Sequence, residues 1–103
     1  MKTFNIRMSS KLSEKISEMT STGLSKPMIL QCAIIQAKNN DEEKILMSPK
    51  GGREPAKFKL SEDVMLIFKS ISDKRSERVR NAIEKMHKEL KKNGYIKFHA
   101  PRK

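Results

Sequence analysis

The chain has 103 residues, of which 36% are hydrophobic and 5% aromatic, and it contains no tryptophan. A chain of this length holds one ordinary domain or two very small ones, which excludes large multidomain enzymes. A core built from so few large apolar side chains is thin. We therefore expect either a homo-oligomer or an intrachain pseudo-dimer, in which two similar units share one core.

The charge is strongly positive, with 23 Lys and Arg against 12 Asp and Glu. Residues 1–50 carry eight basic and five acidic side chains, whereas residues 51–103 carry fifteen and seven. Such a field attracts polyanions, so we expect a nucleic acid partner, with the second half contributing more of the attraction to phosphates. No apolar run approaches the roughly 18 residues of a membrane span, and the N-terminus lacks a signal-peptide core, so a soluble, cytoplasmic protein is expected.

Side chains that usually carry out chemistry are scarce. The only cysteine, Cys32, lies in an apolar stretch and is expected in the core. The two histidines, His87 and His99, are expected at the surface, and they form no metal-ligand cluster. Because the sequence also lacks a Ser/His/Asp set and a Gly-rich phosphate loop, we expect neither an enzyme nor a bound cofactor or metal.

The N-terminal segment TFNIRM, residues 3–8, alternates polar and apolar side chains, which predicts a strand with two unlike faces. The apolar face is expected to be buried and comprises Phe4, Ile6 and Met8. The polar face is expected to point outward and comprises Thr3, Asn5 and Arg7. An ordinary edge strand with polar residues facing water is the plainer interpretation of the same pattern.

Two helices are predicted after this strand. Ser9 or Ser10 can cap the first, whose apolar stripe recurs at helical spacing and comprises Leu12, Ile16 and Met19. Thr22-Gly23 ends it. The second begins at Ser25, tolerates Pro27 in its first turn and is apolar around most of its circumference. It must be buried on several sides, and in so short a chain part of that burial is expected to come from a partner.

The pattern then repeats after a connector. Residues 41–55 contain the breakers Pro49, Gly51-Gly52 and Pro55, and residues 45–47 are either a brief strand or a docked part of the linker. Residues 57–60, KFKL, alternate again, and Ser61 starts a helix. After a turn at residues 73–75, Ser76 is predicted to cap a final helix that ends at Asn93-Gly94 and whose stripe is Val79, Ile83, Met86 and Leu90. The predicted organisation is a first unit at 1–40, a linker at 41–55, a second unit at 56–94 and a basic tail at 95–103.

This twofold order of strand, helix, turn and helix resembles the ribbon-helix-helix family of DNA-binding proteins, the Arc/MetJ/CopG-like group. The segment TFNIRM is similar to the Arc ribbon, and KRSERVRNAI at 74–83 is similar to the start of the family's second helix. Two copies in one chain resemble the TraY-like relaxosome accessory proteins of conjugative plasmids. The resemblance implies an α+β, mostly α fold with tandem ribbon-helix-helix motifs, in which an antiparallel two-stranded ribbon packs on helices.

The resemblance also implies which residues contact DNA. The ribbon would read bases with Thr3, Asn5, Arg7, Lys57 and Lys59, although Lys57 and Lys59 fit phosphate contacts equally well. By side-chain chemistry, Arg7 can bond guanine O6 and N7, and Asn5 can bond adenine N6 and N7. Phosphates would be held near two helix N-termini by Ser25, Lys26, Lys74, Arg75, Ser76 and Arg78, with simple capping as the alternative role of the two serines.

Several functions follow from the resemblance. The protein would be a sequence-specific double-stranded DNA-binding protein, acting as a transcriptional repressor or as a transfer-origin accessory protein that works beside a relaxase. The alternative is an antitoxin that binds DNA with its N-terminal half and a toxin with its C-terminal half. The sequence leaves open whether the ribbon forms within one chain or between two, and whether the tail adds phosphate contacts.

Overall fold

The computed structural model describes residues 2–40 and 55–94. In these ranges the chain forms two strands and four helices, in the order β1 (Lys2–Arg7), α1 (Ser10–Thr20), α2 (Lys26–Asn39), β2 (Pro55–Leu60), α3 (Glu62–Lys69) and α4 (Arg75–Lys92). The fold is therefore α+β and mostly helical. The predictions for residues 45–47, for His99 and for the tail at 95–103 lie outside the described residues.

The two strands form an antiparallel sheet within one chain, which answers the question that the sequence left open. Phe4 lies opposite Phe58, Asn5 opposite Lys57, and Thr3 opposite Lys59. Because the sequence repeat matches Phe58 to Phe4, this register places an approximate two-fold axis between these two side chains. The strands of the two repeats are therefore related to each other as the strands of a symmetric ribbon would be.

One hydrophobic cluster includes residues from both strands and all four helices. Helix α2 lies at its centre and contacts α1, α3, α4 and β2. Its buried face comprises Ile29, Leu30, Ala33, Ile34 and Ala37. The prediction that this apolar helix is buried on several sides is confirmed in part, because much of its cover comes from the second half of the same chain, whereas Met28, Cys32 and Ile35 are exposed.

Serine caps start three of the helices. The hydroxyl oxygens of Ser9, Ser25 and Ser61 accept hydrogen bonds from the backbone N–H groups of Leu12, Met28 and Val64, at 3.2, 3.2 and 3.4 Å. Each bond satisfies one N–H group that the first helical turn would otherwise leave unpaired.

The predicted start of the last helix is wrong. Helix α4 begins at Arg75, two residues after Asp73, and its N-cap is Lys74, whose side chain makes no capping hydrogen bond. Lys74 adopts a left-handed conformation, with φ 50°. Ser76 consequently lies inside the first turn and caps nothing. The sequence signal failed because the backbone turn at Lys74, rather than a serine hydroxyl, brings the chain into the helix.

Two predictions of burial are also wrong. Cys32 is exposed, because it lies on the face of α2 that points away from the core. His87 is buried, with 6% of its surface exposed, and its Nε2 lies 3.0 Å from Glu18 Oε2 on α1. Nearby, Lys15 of α1 pairs with Glu84 of α4, so polar contacts join the two helices beside the core.

Candidate nucleic-acid interface

The outward face of the two-stranded sheet is polar and positively charged. All five of its predicted base-contacting side chains are exposed: Thr3, Asn5, Arg7, Lys57 and Lys59. The register pairs an uncharged side chain with a lysine at two positions, Thr3 with Lys59 and Asn5 with Lys57. Neither strand contains an acidic residue. This face therefore combines hydrogen-bonding groups with positive charge, as a surface that faces a polyanion requires.

The two ends of this face differ. Arg7 lies opposite Pro55, at one end of the sheet. Three residues beyond Phe58, the position that corresponds to Arg7 is Ser61, which is already the N-cap of α3. A guanidinium is therefore present at one end of the ribbon and is replaced at the other end by a capped helix start.

The buried face holds the ribbon in place. Phe4, Ile6, Phe58 and Leu60 are all buried in the core. The ring of Phe4 also meets Phe68 of α3 edge to face, with ring centroids 4.8 Å apart and an interplanar angle of 79°. Because successive strand residues point to opposite sides, fixing these apolar side chains also fixes the direction of the outward ones.

The N-terminus of α2 lies beside β2. Ser25 caps the helix, and the exposed Lys26 follows it. Lys26 and Lys57 line one surface groove, whose other residues are Ser13, Ile16, Ser17, Ala56 and Phe58. The first turn of α2 carries no acidic residue. Two lysines and the positive end of a helix dipole thus adjoin the outward face of the ribbon.

A side chain from the second turn of α4 contacts β1. Arg80 donates a hydrogen bond from Nη1 to the backbone oxygen of Arg7, at 3.3 Å. Lys74 and Arg75 are exposed at the start of the helix, and Arg75 Nε donates to the backbone oxygen of Ile71 at 3.0 Å. Lys74, Arg75 and the half-buried Ser76 line one groove together with Arg80, whose guanidinium reaches the end of β1.

Arg80 belongs to this cluster, although the sequence analysis did not single it out. Its membership of the basic run at 74–80 was the available signal. Two acidic residues, Asp73 and Glu77, also line this region, so its positive potential is weaker than the number of basic side chains suggests.

Arg78 does not belong to the exposed set. Only 8% of its surface is exposed. Its Nη1 donates to the backbone oxygen of Asn40 at 2.9 Å, its Nε donates to the backbone oxygen of Asp73 at 3.1 Å, and its Nη2 contacts Asp73 Oδ1 at 3.1 Å. The side chain joins the end of α2 to the turn before α4. We therefore remove Arg78 from the phosphate-contacting set.

Within residues 2–40 and 55–94, no group of three or more His, Cys, Asp or Glu side chains is arranged to hold a metal ion. Over the same ranges, no helix combines the length and the apolar character needed to cross a bilayer. Comparison with protein-family models, with curated proteins and with solved structures gives no match for this chain.

Proposed function

We propose that the chain is a sequence-specific double-stranded DNA-binding protein that inserts its two-stranded sheet into the major groove, in the manner of a tandem ribbon-helix-helix protein. The observation that carries this proposal is the outward face of the sheet. Its side chains are exposed and polar, three of them are cationic, and they are held in register by a buried apolar face. As biological roles we propose repression of a promoter or occupation of a transfer origin beside a relaxase.

The dimensions of the sheet fit this proposal. Two paired strands lie about 4.8 Å apart, and the major groove, about 12 Å wide, admits such a ribbon. Arg7 and Asn5 carry the side chains that pair with guanine and adenine edges in that groove, each pair being worth about 1 to 3 kcal/mol of discrimination. Thr3, Lys57 and Lys59 complete the face that would meet base edges or the adjoining phosphates.

The N-terminus of α2 adjoins β2, and a basic cluster at the start of α4 is joined to β1 by one side chain. Lys26 follows the Ser25 cap beside β2, and Lys74 and Arg75 share a groove with Arg80, which donates to the backbone oxygen of Arg7. A ribbon in the groove would bring DNA phosphates toward these helix ends, where N–H groups, the helix dipole and cationic side chains stabilise them.

Because Arg7 is present at one end of the ribbon only, the preferred site should be asymmetric rather than a perfect palindrome. The antitoxin alternative is less well supported. Both halves of the chain contribute to one core, and β2 is the only strand that pairs with β1 in the described residues. Releasing the second half to wrap a toxin would remove the partner strand of the ribbon.

Selection from a pool of random duplexes tests the proposal, since it requires no knowledge of the natural target. We expect enrichment of one asymmetric motif, and footprinting on the enriched DNA should show protection of the major groove. Arg7→Ala should weaken binding to the selected DNA by about 1 to 3 kcal/mol and affect binding to unrelated DNA much less.

Lys88→Ala is the matched control. Lys88 is an exposed cation 13 residues after Arg75 on α4, roughly 20 Å along the helix axis from its N-terminus. Its removal should change binding to the selected DNA only slightly. Failure to enrich any motif would contradict sequence-specific binding. Equal losses for Arg7→Ala and Lys88→Ala would contradict base reading by the ribbon.

A further inference from the structure

One face of helix α2 is both exposed and uncharged. From Met28 to Asn39, the exposed positions of this helix recur at helical spacing, and we call them the α2 stripe: Met28, Gln31, Cys32, Ile35 and Asn39. Met28 is 50% exposed and Ile35 is 38% exposed, and Cys32 between them is exposed as well. Half-exposed apolar side chains at spacings of four and three form the kind of seam along which a second helix packs.

The surroundings of the α2 stripe indicate what can cover it. The chain carries a net charge of +11, so most contacts between two copies would bring like charges together. The α2 stripe is free of this penalty, since none of its five side chains is charged. Lys38, the basic residue nearest to Ile35 in the sequence, donates a hydrogen bond from Nζ to the backbone oxygen of Ser70 at the end of α3, at 3.0 Å. Within the stripe a second copy therefore meets no like charge, and the cationic side chains of α2 lie near its two ends, at Lys26 and at Lys38.

We propose that the α2 stripe is the surface through which two copies of this chain contact each other when they bind neighbouring positions on one DNA duplex. An antiparallel pairing of two α2 helices about a two-fold axis near Cys32 would bring Met28 of each copy against Ile35 of the other. Such an interface is self-complementary, as a two-fold contact requires. The proposal rests on the proposed function, because DNA is what brings the copies together.

The size of the α2 stripe explains why DNA is needed. A stable complex buries about 800 Å² on each partner, far more than five half-exposed side chains supply. The stripe alone therefore gives a weak contact between molecules in solution. Met28 is two residues from Lys26, so the stripe begins close to the proposed phosphate contacts. Copies held side by side on a duplex would meet at a high effective concentration, at which a weak contact is sufficient.

Cys32 makes the contact measurable, because it is the only cysteine of the chain. The protein is treated with a short bis-maleimide, free or bound to a mixed-sequence duplex. One duplex is long enough for several copies and the other is long enough for one. On the long duplex we expect the crosslinked dimer to form roughly tenfold faster or more, because the duplex raises the effective concentration. On the short duplex the rate should stay at that of free protein.

Two variants test the specificity of this result. Ile35→Gln leaves the net charge unchanged, so it should keep the affinity for the short duplex, which holds one copy, and lose the gain in crosslinking on the long one. Leu66→Cys in a Cys32→Ser background is the matched control, because Leu66 is 63% exposed on α3 and lies beside the charged Glu62 and Lys69. The long duplex should accelerate crosslinking through residue 66 much less than crosslinking through Cys32. Equal gains for the cysteines at 32 and 66, or equal rates on both duplexes, would overturn the proposal.

Failure of the proposed function can be distinguished from failure of the α2-stripe contact, because DNA binding is measured on the same samples by mobility shift. If neither duplex is bound, DNA binding is refuted and the interface is judged in concentrated free protein. Crosslinking through Cys32 that Ile35→Gln or Met28→Gln suppresses would then support contact through the α2 stripe. Crosslinking that neither variant changes would overturn it.

Discussion

Replacing Arg78 separates a structural role from DNA contact more clearly than any other single change. Its guanidinium donates to two backbone oxygens, those of Asn40 and Asp73, and contacts the carboxylate of Asp73. Arg78→Ala would leave both carbonyl groups without this partner and would open the link between the end of α2 and the start of α4. We therefore expect a loss of folding stability.

The size of the loss follows from these contacts. A hydrogen bond to a charged group contributes about 1.5 to 3 kcal/mol net to stability. Simple addition over the three bonds gives an upper limit for the loss, and the expected loss is smaller. The side chain of Asp73 is 61% exposed, so water can replace part of what is lost there. We expect Arg78→Ala to lower the free energy of unfolding by about 2 to 4 kcal/mol. In a domain of this size, that corresponds to a decrease in Tm of roughly 10 to 25 °C.

Two measurements check this reasoning. Thermal unfolding gives the change in Tm, and Arg78→Lys, which keeps the charge but has one donor nitrogen in place of three, should fall between wild type and Arg78→Ala. The salt dependence of DNA binding is then measured well below the Tm of the variant. Its slope should match that of wild type, since loss of one phosphate contact would reduce it by about 0.9. An unchanged Tm together with a reduced slope would refute the structural role of Arg78.

Four further substitutions test the caps, the core and the phosphate contacts. Ser25→Ala should lower the free energy of unfolding by about 1 kcal/mol, because it removes an N-cap. Ser76→Ala should cost less than about 0.5 kcal/mol; the reverse order in chemical denaturation would contradict the assigned helix starts. Phe4→Ala should cost about 3 to 5 kcal/mol in the same assay, since it removes a buried ring that packs on Phe68, and a cost below about 1 kcal/mol would contradict its placement. Lys26→Ala should weaken binding to all duplexes alike and reduce the salt slope by about 1, and an unchanged slope would remove Lys26 from the interface.

Local patterns predicted the elements of the fold well where one physical signal dominated. The alternation around Phe4 and Phe58 predicted both strands, because a half-buried strand places successive residues on opposite faces. Serines placed before apolar stripes predicted three helix starts, because an exposed N–H group in the first turn needs an acceptor. These signals depend only on near neighbours in the chain.

The remaining features depend on tertiary contacts, which the same patterns do not contain. Helix α2 is apolar on nearly all sides, so its sequence did not show that Cys32 faces outward. His87 continues the buried spacing of Val79 and Ile83 on α4, which was a usable signal, but its partner Glu18 lies 69 residues away in the sequence. Arg78 belongs to a run of basic residues and was grouped with its exposed neighbours, although its partner Asn40 lies at the end of a different helix.

The central claim is that the outward face of the ribbon reads base edges in the major groove, and a double-mutant cycle between Arg7 and guanine N7 tests it most directly. Wild type and Arg7→Ala are titrated with the selected duplex and with duplexes in which single guanines are replaced by 7-deazaguanine, which lacks only that acceptor. At one guanine we expect a coupling energy of about 1 to 3 kcal/mol between the two changes. Strictly additive losses at every guanine would contradict reading of the major groove by Arg7.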